Sequence, residues 1–165
     1  MRRVIVNSTP IIALCHIDQF ELLKKLYGAI YIPDAVYREI SAKQDSVCRT
    51  KVDQAVSEGW LHIQNIHNIL AKSLYKTQLH DGEVEVMILA KELCADTVVI
   101  DDLNARKHAQ YLKFHVTGTL GVLIKCKQIG YIEALRPLLY KLREHHIFIS
   151  DHLVTKCLQL VDELS

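Results

Sequence analysis

Six residues in the second half of the chain, Thr97-Val98-Val99-Ile100-Asp101-Asp102, restrict the fold more than any other stretch. Four residues of strong strand preference, without polar alternation, read as a strand buried on both faces, which is the pattern of a parallel sheet covered by helices. The run ends on two carboxylates, at the C-terminal edge where open parallel sheets carry their ligands. One Asp there is accounted for by N-capping a helix that begins near Leu103. Two in succession exceed what a cap requires.

The remaining elements follow from punctuation and periodicity. Val4-Ile5-Val6 is a short strand, and Asn7-Ser8-Thr9-Pro10 a tight turn into a helix, with Ser8 or Thr9 as its cap and Pro10 in its first turn. Asp18 and Glu21 have the form of a capping box for a second helix that stops at Gly28. Strand 29–32 closes at Pro33, and Asp34 caps a helix that turns Val36 and Ile40 inward and leaves Glu39 at the border of that face. A helix over 47–58 ends at Gly59, strand 61–64 follows, and a short helix is expected around 69–75. Asp81 caps a long helix with Glu83 and Glu85 in its first turn, and the central strand comes next. Beyond it lie a helix with Arg106 and Lys107, a strand over 114–116, a helix capped by Thr117-Gly118-Thr119, and helices over 132–143 and 150–164. Strands alternating with helices predict a three-layer α/β/α sandwich with a mainly parallel sheet, and right-handed crossovers put every strand's C-terminal end on one edge.

A chain of 165 residues, 50% hydrophobic, fills one core, so a single domain over 1–165 is expected, with 150–165 as a C-terminal helix. The net charge of +1 gives no bulk attraction to nucleic acid, and any such binding falls to local patches. Five scattered cysteines without a close pair fit a reducing cytoplasm. No apolar run approaches the ~20 residues of a membrane span, and the short apolar run at the N-terminus does not read as a signal peptide. Nine histidines without Cys/His ligand spacing disfavour zinc. The lack of a Gly-rich phosphate loop after any strand disfavours a nucleotide-binding α/β protein.

The topology delivers Asn7, Asp101 and Asp102 to one edge, with Glu39, Glu83 and Glu85 able to approach it from helices. Gathered carboxylates repel one another, and a hard divalent cation bound through oxygen is a natural reason to collect them. Mg²⁺ or Mn²⁺ held there activates water and stabilises charge on a phosphoryl group, which implies metal-assisted phosphodiester hydrolysis. Each residue also has a structural explanation: Glu39 as a solvated helix residue, Glu83 and Glu85 as partners of the helix dipole, Asn7 as a turn former. Convergence raises the group above these. Arg106 and Lys107, which follow the acids, are candidate phosphate contacts.

Five blocks in order, Val6-Asn7-Ser8-Thr9-Pro10-Ile11-Ile12-Ala13-Leu14, Ile32-Pro33-Asp34-Ala35-Val36-Tyr37-Arg38-Glu39-Ile40, Asp81-Gly82-Glu83-Val84-Glu85, Ile100-Asp101-Asp102 and Val116-Thr117-Gly118-Thr119-Leu120-Gly121-Val122-Leu123, resemble the PIN-domain proteins. The chain is most similar to a prokaryotic subgroup of unknown function related to VapC-type toxins. The resemblance implies a 5′-nuclease-like sandwich, dependence on Mg²⁺ or Mn²⁺, cleavage of single-stranded RNA, a cognate antitoxin and a homodimer. It places Asn7 at the family's first acid, Glu39 at the second, Glu85 at the third and Asp102 at the fourth. Glu83 and Asp101 are flanking acids able to substitute, and Ser8 or Thr9 matches a hydroxyl that orients the first acid or a metal water. These assignments make Glu39, Glu85 and Asp102 the catalytic acids.

Asn7 departs from the family pattern. Its carbonyl can ligate a hard cation, but it brings no charge and cannot serve as a base. Three readings follow: a weakened ribonuclease, a nuclease in which Glu83 and Asp101 compensate, or a catalytically inactive module that binds RNA or a protein.

Overall fold

The computed structural model describes residues 2–43, 46–74 and 79–164. Five strands, β1 (Val4–Val6), β2 (Ile30–Pro33), β3 (Leu61–Gln64), β4 (Thr97–Val99) and β5 (His115–Thr117), form one sheet in the order β3-β2-β1-β4-β5. Every neighbouring pair is parallel. Successive residues of a strand face opposite sides of the sheet, and Val4, Ile5 and Val6 are all fully buried, so helices cover both faces around β1. The result is the anticipated α/β sandwich. One hydrophobic cluster runs from Val4 to Val161.

The chain steps from β1 through β2 to β3, then returns to the other side of β1 for β4 and β5. Strand order therefore reverses between β1 and β4, and the crevice beyond their C-terminal ends is where this architecture binds ligands. Val6 pairs with Val99, and the Asn7 amide donates to the Val99 carbonyl at 2.9 Å, so Asn7 and Ile100 leave the sheet side by side.

Helix ends depart from the local expectations wherever a side chain finds a distant partner. In α1 (Ser8–His16) the N-cap position is Asn7, and no side chain caps it, because the Ser8 hydroxyl donates to Glu39 instead. No capping box forms before α2 (Leu22–Tyr27): Asp18 sits at φ 56° and pairs with Lys51. Gly28 ends that helix as anticipated, at φ 80°. Pro33 occupies the N-cap position of α3 (Asp34–Ala42), and Asp34 pairs with Arg38 one turn on. After α4 (Ser46–Glu58) comes α5 (Ile69–Leu74), and Tyr75, expected at its end, lies outside the described residues.

His80, not Asp81, caps α6 (Asp81–Glu92), in a reciprocal box in which Glu83 accepts from the His80 amide at 2.9 Å. Asp102 caps α7 (Leu103–Tyr111), and Gly118 takes the N-cap position of α8 (Thr119–Gln128). The next helix, α9 (Arg136–Glu144), starts at Arg136 rather than 132, with Pro137 in its first turn. Its leading amides, of Leu135 and Arg136, donate to the Glu163 carboxylate from the far end of the chain. The last helix, α10 (Asp151–Leu160), is capped by Ser150 as anticipated but ends before 164–165: Val161 is its C-cap, and Asp162 turns away at φ 58°. Among the described residues, no helix is long and apolar enough to cross a membrane.

Candidate active site

Asn7 leaves β1 at the reversal of strand order and is only 4% exposed. Its backbone is engaged with β4, but its side-chain carbonyl oxygen is buried without a hydrogen-bond partner among the described residues. An orphaned acceptor of this kind costs about 1–3 kcal/mol unless something outside the chain satisfies it. The neighbouring Ser8 hydroxyl donates to Glu39 Oε2 at 2.6 Å, which ties the α3 carboxylate to the first turn of α1.

Glu39 reaches the crevice across the first turn of α6. A methyl group at Gly82 would overlap its carboxylate, so the lack of a side chain at 82 opens the path. Glu83, next to Gly82, is 5% exposed, and burial pushes its carboxyl above the ordinary glutamate range. The negative charges of Asp102 and Glu39 push the same way, against the lowering effect of the His80 amide. Asp102 stands at the end of β4, where its Oδ2 accepts from the Ala105 amide at 3.0 Å. The fold thus brings Glu83 within electrostatic reach of both Glu39 and Asp102, with Glu39 bonded to Ser8, the residue that follows Asn7.

Glu85 has other partners. Its Oε1 accepts from the Ala35 amide at 3.1 Å, and its Oε2 lies 2.7 Å from the Lys72 ammonium and 3.7 Å from Arg38. Lys72, from α5, also contacts Asp81 at 2.7 Å, and these two carboxylates hold its ammonium charged beyond the usual lysine range. An internal cation therefore already neutralises Glu85.

The second aspartate after β4 serves as a fastener. Asp101 accepts from the Thr119 amide at 2.8 Å and from its hydroxyl at 2.6 Å, which fixes the start of α8 against the end of β4. Arg106 turns back to donate to the Ile100 carbonyl at 3.2 Å, while Lys107 and Thr9 are exposed. Among the described residues, no three Asp, Glu, His or Cys side chains stand as a ready-made metal-holding group. The acids of the crevice are near one another but individually bonded to the protein.

Two residues of this site escaped the sequence reading. Gly82 carried a signal, since glycine in the first turn of an otherwise strong helix is unfavourable and points to a close approach. Lys72 carried none, being one lysine of a short helix whose acidic partners, Asp81 and Glu85, lie on the next one.

A family model matches residues 3–163, nearly the whole chain: DUF3368, described as a PIN domain. The chain is a PIN-domain protein. No curated protein matches it significantly. The PIN domain is a nuclease-type fold that generally employs divalent metals and interacts with nucleic acid, and this PIN-domain protein matches it over nearly its whole length.

Proposed function

We propose that this PIN domain is a divalent-metal-dependent endoribonuclease acting on single-stranded RNA, with its hydrolytic centre in the crevice between β1 and β4. One observation carries the reading: a buried carbonyl oxygen on Asn7 with no hydrogen to accept among the described residues, one position before the Ser8 that binds Glu39. Such an oxygen suits a hard cation or its bound water, and Glu83, burdened by burial and like charges, is the kind of carboxyl that a cation relieves. Mg²⁺ usually retains several waters and needs only one or two carboxylates, so a loosely gathered set fits it without a preformed cage.

Glu39, Glu83 and Asp102 would hold the ion with the Asn7 carbonyl, and the ion would supply an activated water and a counter-charge for the phosphoryl oxygens. Ser8 keeps Glu39 oriented through its 2.6 Å bond. Glu85, the third acid by resemblance, would support from behind by holding Lys72 and the Ala35 amide, and Asp101 by fastening α8. Arg106 and Lys107 on α7 would grip flanking phosphates. A toxin-class role, a cognate antitoxin and a homodimer belong to the same proposal and rest on the resemblance of the sequence blocks, while a single domain over 1–165 rests on chain length and a cytoplasmic setting on the scattered cysteines.

A second reading is favoured by Asn7 itself. A neutral amide in place of a carboxylate weakens both cation affinity and rate, the latter by ~10²-fold or more where a central electrostatic group is lost, which suits a module that binds RNA or a protein without cutting. Cleavage of single-stranded RNA with Mn²⁺, compared among the native chain, Asn7→Asp and Asp102→Ala, separates the two. Cleavage by the native chain that Asp102→Ala abolishes supports the ribonuclease. Activity that emerges only in Asn7→Asp supports the binding module. Asn7→Asp should also lower the melting temperature in EDTA and raise it more than the native chain's on adding Mn²⁺, because the new charge is buried beside other acids.

A further inference from the structure

The α1 and α8 side of the crevice continues into a cleft of about 430 Å³, a size suited to a small-molecule-sized group. Thr9, Asp101 and Thr119 belong to its lining, and Thr9 and Asp101 are the chain neighbours of Ser8 and Asp102 at the acid cluster. Ile12, Ala13, Leu120 and Ile147 make much of the remaining surface apolar. Two features of this wall are flat. His16 and His145 stack with ring centroids 5.0 Å apart and planes 29° from parallel, and Phe148 lies 89% exposed at the same cleft. Lys43 contributes a cation, and Thr9 an exposed hydroxyl.

An exposed phenylalanine beside stacked imidazoles fits a planar partner better than a branched aliphatic one, because face-to-face contact covers a flat ring completely. Unpaired nucleobases are planar, apolar on their faces and polar at their edges, and proteins hold them by stacking on aromatic side chains. Thr9 can meet a base edge, and Lys43 a phosphate. A base in this cleft would sit against a lining that includes Asp101, the residue before Asp102.

We propose that this cleft is a base-binding subsite for single-stranded nucleic acid, in which Phe148 stacks on an unpaired base adjacent to the phosphate presented to the acid cluster. The position of that phosphate rests on the ribonuclease reading, whereas the stacking does not.

Binding of a fluorescein-labelled hexaadenylate, and of an abasic hexamer with the same phosphates, is measured by anisotropy in EDTA for the native chain, Phe148→Ala, Phe148→Leu and Phe148→Trp. The exposure of Phe148 makes all three variants compatible with the fold. The native chain should bind the intact oligomer about 5- to 150-fold more tightly than the abasic one, the range for one stacked base. Phe148→Ala and Phe148→Leu should both remove that difference, and Phe148→Trp should keep it. Equal binding of the two oligomers by the native chain overturns the proposal. Native-like binding by Phe148→Leu also overturns it, since a purely apolar contact is what a protein side chain would need. Cleavage with Mn²⁺, assayed separately, distinguishes the two readings. Base-dependent binding through Phe148 without cleavage leaves the subsite standing and the ribonuclease reading fallen, and cleavage unaltered by Phe148→Leu, with binding also unaltered, does the reverse.

Discussion

Replacing Gly82 with alanine should separate the stability of this fold from the working of its crevice. Gly82 lies in the first turn of α6 in ordinary helical conformation, so alanine suits its backbone and should contribute about 0.5–1 kcal/mol. The new methyl group would overlap the Glu39 carboxylate, the mobile end of a side chain rather than backbone. Reaching a normal separation requires that carboxylate to retreat by roughly 1 Å or more. The retreat breaks its 2.6 Å bond from Ser8, a loss of about 1.5 kcal/mol for a charged acceptor at a partly buried site. The two effects nearly cancel, so urea unfolding in EDTA should place Gly82→Ala within about 1 kcal/mol of the native chain. The crevice has no such compensation. A displacement of about 1 Å in a catalytic group can cost about 10²-fold in rate, and RNA cleavage at saturating Mn²⁺ should fall by that order. Cleavage at the native rate would refute the placement of Glu39 in the reaction, and a stability loss beyond about 3 kcal/mol would show that backbone, not side chain, receives the methyl group.

Three further perturbations test the surroundings of the site. Lys72→Met leaves the buried Glu85 carboxylate with the Ala35 amide and a more distant Arg38, and should cost about 1–3 kcal/mol in urea unfolding. Adding Glu85→Gln should recover more than about 1 kcal/mol of that, and strict additivity in the double-mutant cycle would contradict direct pairing. Glu83 holds its proton more tightly folded than unfolded, so its contribution to stability should fall as pH rises from about 4.5 through its elevated pKa. Glu83→Gln keeps an acceptor for the His80 amide and removes the charge, and its advantage over the native chain in EDTA should grow between about pH 4 and pH 7; an advantage that shrinks instead would reverse the sign assigned to burial. Glu163→Ala removes the acceptor for the Leu135 and Arg136 amides at the start of α9 and should lower stability by about 1–2 kcal/mol, the loss of a helix cap. An unchanged urea midpoint would mean that water replaces the carboxylate at no cost.

The legible parts of this protein are those written in local pattern. Thr97-Val98-Val99-Ile100 announces a strand buried on both faces, and β4 lies inside the sheet between β1 and β5. Gly28 and Gly59 follow their helices at positive φ, the conformation that made them readable as stops. The capping pairs were less legible because a cap competes with every other partner its side chain can reach. Ser8 chose Glu39, Asp18 chose Lys51, and α9 took its cap from Glu163. Glu83 and Glu85 illustrate the same limit at the site. They lie two positions apart, hence about 200° around the helix, and sequence spacing alone offers either one to the crevice.

The amino-acid order by itself determined the alternation of apolar strands and helices, the parallel sheet, and the delivery of Asn7, Asp101 and Asp102 to its C-terminal edge. These depend on side-chain periodicity and crossover handedness, which any stretch of chain carries with it. Tertiary structure decided which acids meet. The rotation of α6 against the sheet turned Glu83 toward Glu39 and Asp102, while Lys72 drew Glu85 into an ion pair. Such choices arise from the packing of helices far apart in sequence, where Coulomb forces and burial act through space rather than along the chain.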